Sequence, residues 1–311
     1  MSQSQHYDCV IVGGGPAGLS AALNLARARR RVLVIDSNRP RNSATMATHG
    51  FLTRDGVSPI RLRHLGWDEL AKYPEAERQL GMVERITVAN GAFAVESSPV
   101  NRSPSRAISA ESVLIATGLK ETLPKFASLR MFYGICLFSC VECDGYEQSD
   151  RPLVLIGETD DLAARALLIS QWSRDLTVFT NAADVVTAEE EAILTGRGVR
   201  VERREVADLI GGGENWEMTG VLLADGDIVP AVGGFVRPAW SAPVDFVANL
   251  GLQRDADGLL VVDADGRTNR AGVYAAGDST VPGPQQLIIA AGAGARAAAT
   301  INRDLIGIPR P

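Results

Sequence analysis

The stretch that decides the fold is Asp8-Cys9-Val10-Ile11-Val12-Gly13-Gly14-Gly15-Pro16-Ala17-Gly18, near the start of the chain. Its apolar first half is typical of a strand, and the alanine- and leucine-rich residues 19–29 that follow are typical of a helix. A second apolar run, Arg31–Ile35, predicts another strand, which ends at Asp36. A strand, a helix and a strand in this order predict a parallel sheet with helices covering its faces.

The glycines of this stretch have the spacing G-x-G-x-x-G, which is specific only between a strand and a helix, as here. Gly13 permits the tight turn, Gly15 lets the backbone approach a pyrophosphate, and Gly18 lets the helix pack closely on the strand. The helix N-terminus offers amide donors to phosphates. Asp36 ends the next strand, where it would accept hydrogen bonds from ribose hydroxyls. The pattern therefore predicts a dinucleotide-binding site.

A similar unit starts about 145 residues later. The apolar run Leu153-Val154-Leu155-Ile156-Gly157 predicts a strand, residues 161–172 predict a helix, and Leu176–Phe179 predicts the next strand. The chain therefore contains two nucleotide-fold units, which form a weak internal repeat.

The end of the chain returns to the style of the first unit. A strand that ends in Gly277-Asp278 precedes an alanine-rich helix over residues 285–303. We therefore predict an α/β protein with two Rossmann-like, three-layer β/β/α domains. Residues 1–119 and 241–311 form a discontinuous first domain, and residues 120–240 form a second domain inserted into it.

Composition excludes several classes of function. With 46% hydrophobic and 22% charged residues, the 311-residue chain is ordinary for a soluble globular protein. Its net charge of −6 argues against nucleic acid as a partner, because binding a phosphate backbone requires a basic surface. No apolar run approaches the roughly 20 residues of a membrane-spanning helix, and no secretory signal precedes the first strand. We expect a cytoplasmic protein without a membrane partner.

Two of the four cysteines, Cys140 and Cys143, have the spacing C-x-x-C. They are close enough in sequence to form a disulfide at a helix N-terminus, where the helix dipole lowers a thiol pKa. Thiol-disulfide exchange needs one thiolate to attack and a second to resolve the mixed disulfide. A zinc site would need two further ligands, and the sequence has no second C-x-x-C, so we expect no metal. Cys9 and Cys136 are interpreted as packing residues.

Five motifs occur in an order and at distances that are typical of one family. They are Gly13–Gly18, Ala116-Thr117-Gly118, Cys140-Val141-Glu142-Cys143-Asp144-Gly145, Gly277-Asp278 and Gln285-Gln286. The chain resembles, over nearly its whole length, the low-molecular-weight thioredoxin reductases, which are FAD-dependent disulfide oxidoreductases. The resemblance implies an FAD cofactor, a homodimer, and a dithiol or disulfide substrate that is a thioredoxin-like protein or a small molecule.

The resemblance also implies a set of FAD-binding residues. They are Gly13, Gly15, Pro16, Ala17, Gly18, Asp36, Arg41, Asn42, His49, Ala116, Thr117, Gly118, Gly277, Asp278, Gln285, Gln286 and Leu287. Asp278 would lie by the ribityl and phosphate groups, and the segment that starts at Gln285 would run along the flavin ring. Arg41, Asn42 and His49 fall where members of the family line the flavin pocket.

For the cysteine pair, the resemblance implies that Cys143 faces the flavin and that Cys140 exchanges with the substrate. Asp144 is then the candidate acid and base, acting directly or through water. The segment His49–Gly56 is similar to a branch of the family that includes dithiol oxidases, whereas Asp144 is similar to the reductases.

The second domain departs from the family where NADPH would bind. Of the G-x-G-x-x-A motif, the stretch Gly157-Glu158-Thr159-Asp160-Asp161-Leu162 keeps only the first glycine, and its three carboxylates would repel phosphates. Thr159 adds a Cβ where the backbone should approach the pyrophosphate. The His-Arg-Arg cluster after the next strand is replaced by Phe179-Thr180-Asn181. We therefore predict weak or absent NADPH binding.

The other end of the electron path stays open at this point. The chain is a dithiol oxidase whose flavin is reoxidised by oxygen, or a thioredoxin reductase driven by ferredoxin or another non-nicotinamide donor. An ordinary NADPH-dependent thioredoxin reductase ranks behind these two. A flavin-binding redox sensor without turnover is the alternative from a different class of protein.

Overall fold

The computed structural model describes residues 5–99, 107–212, 216–280 and 284–308. The chain folds into two compact units. The first consists of Met1–Ser43, Gly50–Lys120 and Trp240–Pro311, and the second of Ala44–His49 and Glu121–Ala239. Within the described ranges, no helix combines the length and the apolar composition needed to cross a membrane.

Strands and helices are numbered in chain order over the described residues. The strands are β1 Gln5–Val12, β2 Val32–Asp36, β3 Ala76–Ala89, β4 Ala92–Pro99, β5 Ile108–Ile115, β6 Lys120–Thr122, β7 Leu137–Phe138, β8 Leu153–Ile156, β9 Leu176–Phe179, β10 Arg200–Glu202, β11 Val206–Gly212, β12 Glu217–Leu223, β13 Ile228–Pro230, β14 Gly233–Val236, β15 Ala239–Ser241 and β16 Val273–Ala275. The helices are α1 Pro16–Arg27, α2 Pro59–Leu70, α3 Leu129–Phe132, α4 Val141–Asp144, α5 Leu162–Ile169, α6 Ala188–Gly196 and α7 Leu287–Ile306.

In the first unit, β1 is the centre of a parallel sheet. It pairs with β2 on one side and with β5 on the other, and β16 continues the sheet beyond β5. Side chains alternate along β1, so that Cys9 and Ile11 pack on one face while Val10 and Val12 pack on the other. All four are buried, because both faces of this sheet are covered.

The two faces of this sheet are covered differently. Helices α1, α2 and α7 contribute to the core on the face of Cys9 and Ile11. The β3–β4 hairpin and the 3-10 helix Asp245–Leu250 contribute to the core on the other face, through residues such as Ile86 and Val247. Helices, a parallel sheet and a second β layer make a three-layer β/β/α unit, as predicted.

The second unit repeats this arrangement. Its parallel sheet has the strand order β10-β9-β8-β14-β7. Leu153 and Leu155 of β8 pack on the side of α5 and α6, whereas Val154 and Ile156 pack on the antiparallel strands β11 and β12. Two Rossmann-like units of the same three-layer type confirm the predicted fold class.

Candidate functional site

The first unit contains a cavity of about 540 Å³, a volume within the range of small-molecule and cofactor sites. Most of the residues predicted to bind the cofactor line it together. They are Gly13, Gly15, Pro16, Ala17, Asp36, Arg41, Asn42, Ala116, Thr117, Gly118, Gly277, Asp278 and Leu287. The structure thus brings together residues at β-strand ends and helix starts that lie up to about 270 residues apart in sequence.

Four of the predicted residues lie outside the lining of this cavity. Gly18 packs against the glycine turn, since a Cβ there would lie 1.9 Å from the Gly13 carbonyl oxygen. Gln285 accepts a hydrogen bond from Arg41 (3.2 Å), and Gln286 is the N-cap residue of α7. His49 belongs to the second unit.

The glycine turn leaves open space in front of α1. Gly13 has a φ of +110°, and a Cβ there would lie 2.3 Å from the Ala116 carbonyl oxygen, so only glycine fits. A Cβ on Gly15 would meet no atom within 4 Å. Among the described residues, no side chain caps the N-terminus of α1. Uncapped amides beside open space are the arrangement that binds a pyrophosphate.

Asp36 lies at the end of β2 and is held by two donors. Its carboxylate accepts hydrogen bonds from the Gly14 amide (3.2 Å) and from Arg63 (2.5 Å). A Cβ on Gly14 would lie 2.5 Å from the ring of Trp67, which makes the middle glycine a packing requirement as well. Arg63 and Trp67 come from α2, and no sequence motif pointed to them.

A second polar contact closes the cavity near Asp278. Arg41 donates to the Asp278 carboxylate (2.7 Å) and thereby ties the segment after β2 to the segment after β16. Burial raises the pKa of the Asp278 carboxyl, while Arg41 acts in the opposite direction. Both side chains line the cavity.

The residues fit a bound dinucleotide such as FAD. The Thr117 hydroxyl lines the cavity and is buried without a hydrogen-bond partner among the described residues. A buried polar atom of this kind, together with the open space at Gly15, is satisfied by a ligand that carries phosphates and hydroxyls.

In the second unit, Cys140 and Cys143 form a disulfide with their Cα atoms 5.3 Å apart. Cys140 is the N-cap residue of the short helix α4. The preceding residue, Ser139, is fixed because its hydroxyl and that of Tyr133 both donate to the carboxylate of Glu121 (2.8 and 2.7 Å). The predicted redox pair is thus present on an anchored turn.

Asp144 follows the pair directly and is 8% exposed. Burial raises the pKa of its carboxyl to about 7, with His49 lowering it and Glu147 raising it. His49 Nδ1 lies 3.6 Å from Glu147 Oε1. A carboxyl with a pKa in this range would suit the predicted role of Asp144 as acid and base at neutral pH.

Cys136 and Cys9 are free thiols, and both are buried. Burial raises the pKa of the Cys136 thiol and raises that of Cys9 to about 12. Such thiols are poor nucleophiles, in agreement with packing roles.

Side chains of the second unit form a hydrogen-bonded network at the turn after β8. Arg237 Nε donates to both carboxylate oxygens of Asp161 (2.9 and 3.0 Å), and Thr159 and Arg165 donate to the same group (2.6 and 2.8 Å). Burial would raise the pKa of Asp161, but hydrogen bonds from these three residues outweigh it and lower the pKa to about 2. A Cβ on Gly157 would lie 2.7 Å from the Arg237 side chain. Asn181 donates to Glu158 at the start of this turn (2.5 Å).

Comparison with known proteins places these features in one family. The family described as pyridine nucleotide-disulphide oxidoreductases matches residues 7–294. A protein of Arthroderma benhamiae named "Probable thioredoxin reductase" is 29% identical over 185 residues, which is 59% of this chain and 46% of that protein. The chain thus spans about half the length of this relative.

Other relatives match over nearly their whole length. The thioredoxin reductase of Listeria monocytogenes is 26% identical over 304 residues, 94% of this chain and 92% of that protein. Among solved structures, TrxB from Bacillus anthracis is 35% identical with a TM-score of 0.88, and the match covers 97% of this chain and 99% of that one.

Proposed function

We propose that this chain, which belongs to the pyridine nucleotide-disulphide oxidoreductase family, carries out its reaction without NADPH. The chain is an FAD-dependent, thioredoxin reductase-like thiol-disulfide oxidoreductase. Electron pairs would pass between FAD and the Cys140–Cys143 disulfide, and between that disulfide and a dithiol or disulfide substrate. The electron donor or acceptor on the flavin side would be a molecule other than a nicotinamide dinucleotide.

The observation that carries this proposal is the ion-pair network after β8. A dinucleotide in a Rossmann-like unit places its pyrophosphate at the N-terminus of the helix that follows the first strand. At this position, Asp161 engages Arg237 and Arg165, so the positive charges nearby are already paired with a carboxylate. Glu158 and Asp160 add further negative charge to the turn. In the first unit, by contrast, the space beside Gly15 at the N-terminus of α1 is open.

The residues after β9 support the same conclusion. Recognition of the 2′-phosphate of NADPH needs a cation at this place. The chain has Thr180 and Asn181 there, and the Asn181 side chain is engaged with Glu158 and with the backbone amide of Val206.

For the flavin side, the amides at the start of α1 would hold the pyrophosphate and Asp36 would hold the adenosine ribose. Arg41 and Asp278 would lie along the ribityl and flavin portion. When bound, FAD supplies the carrier that accepts and donates the electron pair. The chain itself supplies Cys143 on the flavin side, Cys140 on the substrate side, and Asp144 to hold the proton.

Two routes for the electrons follow, and each has an observation in its favour. The relatives named thioredoxin reductases favour a thioredoxin-like disulfide as substrate. On this route, a non-nicotinamide donor such as reduced ferredoxin would reduce FAD. The similarity of segment His49–Gly56 to a branch with dithiol oxidases favours a dithiol substrate, with oxygen as the final acceptor.

Anaerobic stopped-flow mixing of the FAD-loaded protein with NADPH, with reduced ferredoxin and with dithiothreitol tests the proposal. We expect NADPH to leave the flavin absorbance unchanged on the timescale on which one of the other reductants bleaches it. Rapid bleaching by NADPH would contradict the proposal. Oxygen uptake after bleaching by the dithiol would identify the oxidase route.

The Cys143→Ser variant shows whether bleaching by a dithiol passes through the pair. It should keep its FAD and lose the bleaching, whereas Cys136→Ala, which alters a buried free thiol, should keep both. Bleaching of Cys143→Ser at the native rate would show that the assignment of Cys143 is wrong.

A further inference from the structure

Arg63, on helix α2, is one of the side chains that line the cofactor cavity. Its guanidinium group is hydrogen-bonded through two of its three nitrogens. Nη2 donates to the carboxylate of Asp36 (2.5 Å), and Nη1 donates to the side-chain oxygen of Asn38 (3.1 Å). Because a guanidinium is planar and its donors have a fixed geometry, these two bonds also fix the position of the third nitrogen, Nε.

The Nε atom of Arg63 is buried and has no hydrogen-bond partner among the described residues. The side chain as a whole is only 13% exposed, so water has little access to it. A buried donor without a partner costs free energy, and a donor that belongs to a cation forms strong hydrogen bonds. An acceptor on a ligand bound in the cavity would remove this cost.

Trp67, one helical turn after Arg63, packs α2 against the glycine turn. A Cβ on Gly14 would lie 2.5 Å from the Trp67 ring, and the guanidinium of Arg78 lies 4.2 Å from the centre of that ring. Side chains four residues apart lie on the same face of a helix, so Arg63 also lies on this face. Its bond to Asp36 places it where a unit of this type holds the adenosine ribose of a dinucleotide.

The adenosine half of FAD carries groups that suit Asp36 and Arg63 together. Its ribose hydroxyls can donate to the carboxylate of Asp36, which only accepts hydrogen bonds. The oxygens of these hydroxyls and the ring nitrogens of adenine are acceptors for an N–H donor such as Nε of Arg63. FMN, which has the flavin but no adenosine, would leave both side chains without these partners.

We propose that Arg63 binds the adenosine half of FAD through its Nε–H group, and that this contact favours FAD over FMN as the cofactor. No step of this inference depends on which molecule reduces or reoxidises the flavin. It adds to the cavity a cofactor-binding residue from α2, a helix that carries none of the motifs of the sequence.

The test measures the affinity for the cofactor in the FAD-loaded protein and needs no turnover. Wild type and variants are diluted in series, and free FAD is separated from the protein by ultrafiltration, which gives the Kd for FAD. Displacement of bound FAD by ADP and by FMN gives the Kd for each competitor. ADP carries the adenosine and two phosphates without the flavin, whereas FMN carries the flavin without the adenosine.

Arg63→Lys keeps a positive charge beside Asp36 but removes the Nε–H donor. The loss of a hydrogen bond from a charged donor should raise the Kd for FAD by roughly 10- to 100-fold. The Kd for ADP should rise by the same factor, because ADP contains the adenosine. The Kd for FMN should stay at the wild-type value.

Arg30→Lys is the matched control within the first unit. Arg30 also bonds one asparagine and one aspartate, since its Nε donates to Asn302 (2.8 Å) and its Nη1 donates to Asp8 (3.4 Å). Its Nε therefore has a partner, and the residues that line the cavity in the described part of the chain do not include it. This variant should keep the wild-type Kd for all three ligands.

Three results with Arg63→Lys would overturn the inference. They are an unchanged Kd for FAD, a rise for FAD that ADP does not share, and an equal rise for ADP and FMN, which would indicate general damage to the cavity. If FMN displaces no FAD even from wild type, the comparison of FAD with ADP decides.

Should Arg63→Lys fail to fold, Asn38→Gly takes its place. Asn38 has a φ of +59°, a conformation that glycine adopts readily, so the backbone can stay as it is. This variant removes one of the two bonds that orient the Arg63 guanidinium. It should raise the Kd for FAD and for ADP by about two- to fivefold, and wild-type values for both ligands would contradict the inference.

Discussion

The raised pKa of Asp144 makes the free energy of unfolding depend on pH. Its folded-state pKa of about 7 lies above the ordinary value of 3.8, because the carboxylate form is disfavoured by burial. For a group whose pKa is raised on folding, the stabilising effect is complete below the unfolded-state pKa and is lost as the pH rises through the folded-state pKa.

Asp144→Asn should therefore remove one component of the pH dependence of stability. Between about pH 5 and about pH 8, wild type should lose on the order of 2 kcal/mol of unfolding free energy that the variant keeps. Urea unfolding of both proteins at the two pH values measures the difference. A parallel loss in the variant would show that Asp144 titrates as an ordinary carboxyl.

The residues of the glycine turn show how much of the site could be predicted from the sequence. Gly18 was predictable because its need for glycine arises from a neighbour within the motif itself, the carbonyl oxygen of Gly13. Gly14 depends on the ring of Trp67, and Asp36 is paired with Arg63. Both partners come from α2, more than 25 residues beyond Asp36, and an ordinary helical pattern does not reveal which of its side chains will meet the turn.

At the scale of elements, the sequence indicated the short buried strands best. The predicted strand Leu176–Phe179 has the bounds of β9. By contrast, the first part of β3 has no apolar pattern, although its residues 76–80 pair in parallel with β2. These residues include Glu77, Arg78 and Gln79, whose polar side chains hide the strand from an apolar pattern.

The network between the start of α5 and the end of β14 should contribute measurably to the second unit. Asp161 and Arg237 are in part shielded from solvent, so a double-mutant cycle of Asp161→Asn and Arg237→Gln should give a coupling energy of about 1–2 kcal/mol. The exposed pair Arg200–Asp175 has a comparable separation and should give only about 0–0.5 kcal/mol. Equal coupling energies from thermal unfolding would mean that the Asp161 network is an ordinary surface ion pair.

At the scale of the whole molecule, the cofactor cavity is lined by residues of the first unit. A ligand stabilises the part of a protein that binds it, so removal of FAD should increase amide hydrogen exchange within residues 5–43, 50–99, 107–120, 240–280 and 284–308. Residues 121–212 and 216–239 should keep their protection. Exchange measured by mass spectrometry on both forms checks this, and an equal loss in both units would contradict it.

The interrupted first unit has a consequence for how the protein is made. Strand β5 ends at Ile115, but its neighbour β16 begins only at Val273, and α7, which packs on α1, ends at Ile306. At about 5–20 residues per second, a ribosome needs roughly 10–40 s to bridge this gap. The sheet of the second unit is complete once Val236 has been synthesised, so the second unit can fold before the first. Synthesis of the first unit thus begins first and ends last. Until β16 and α7 have been made, one edge of its sheet and one face of α1 lack their partner elements.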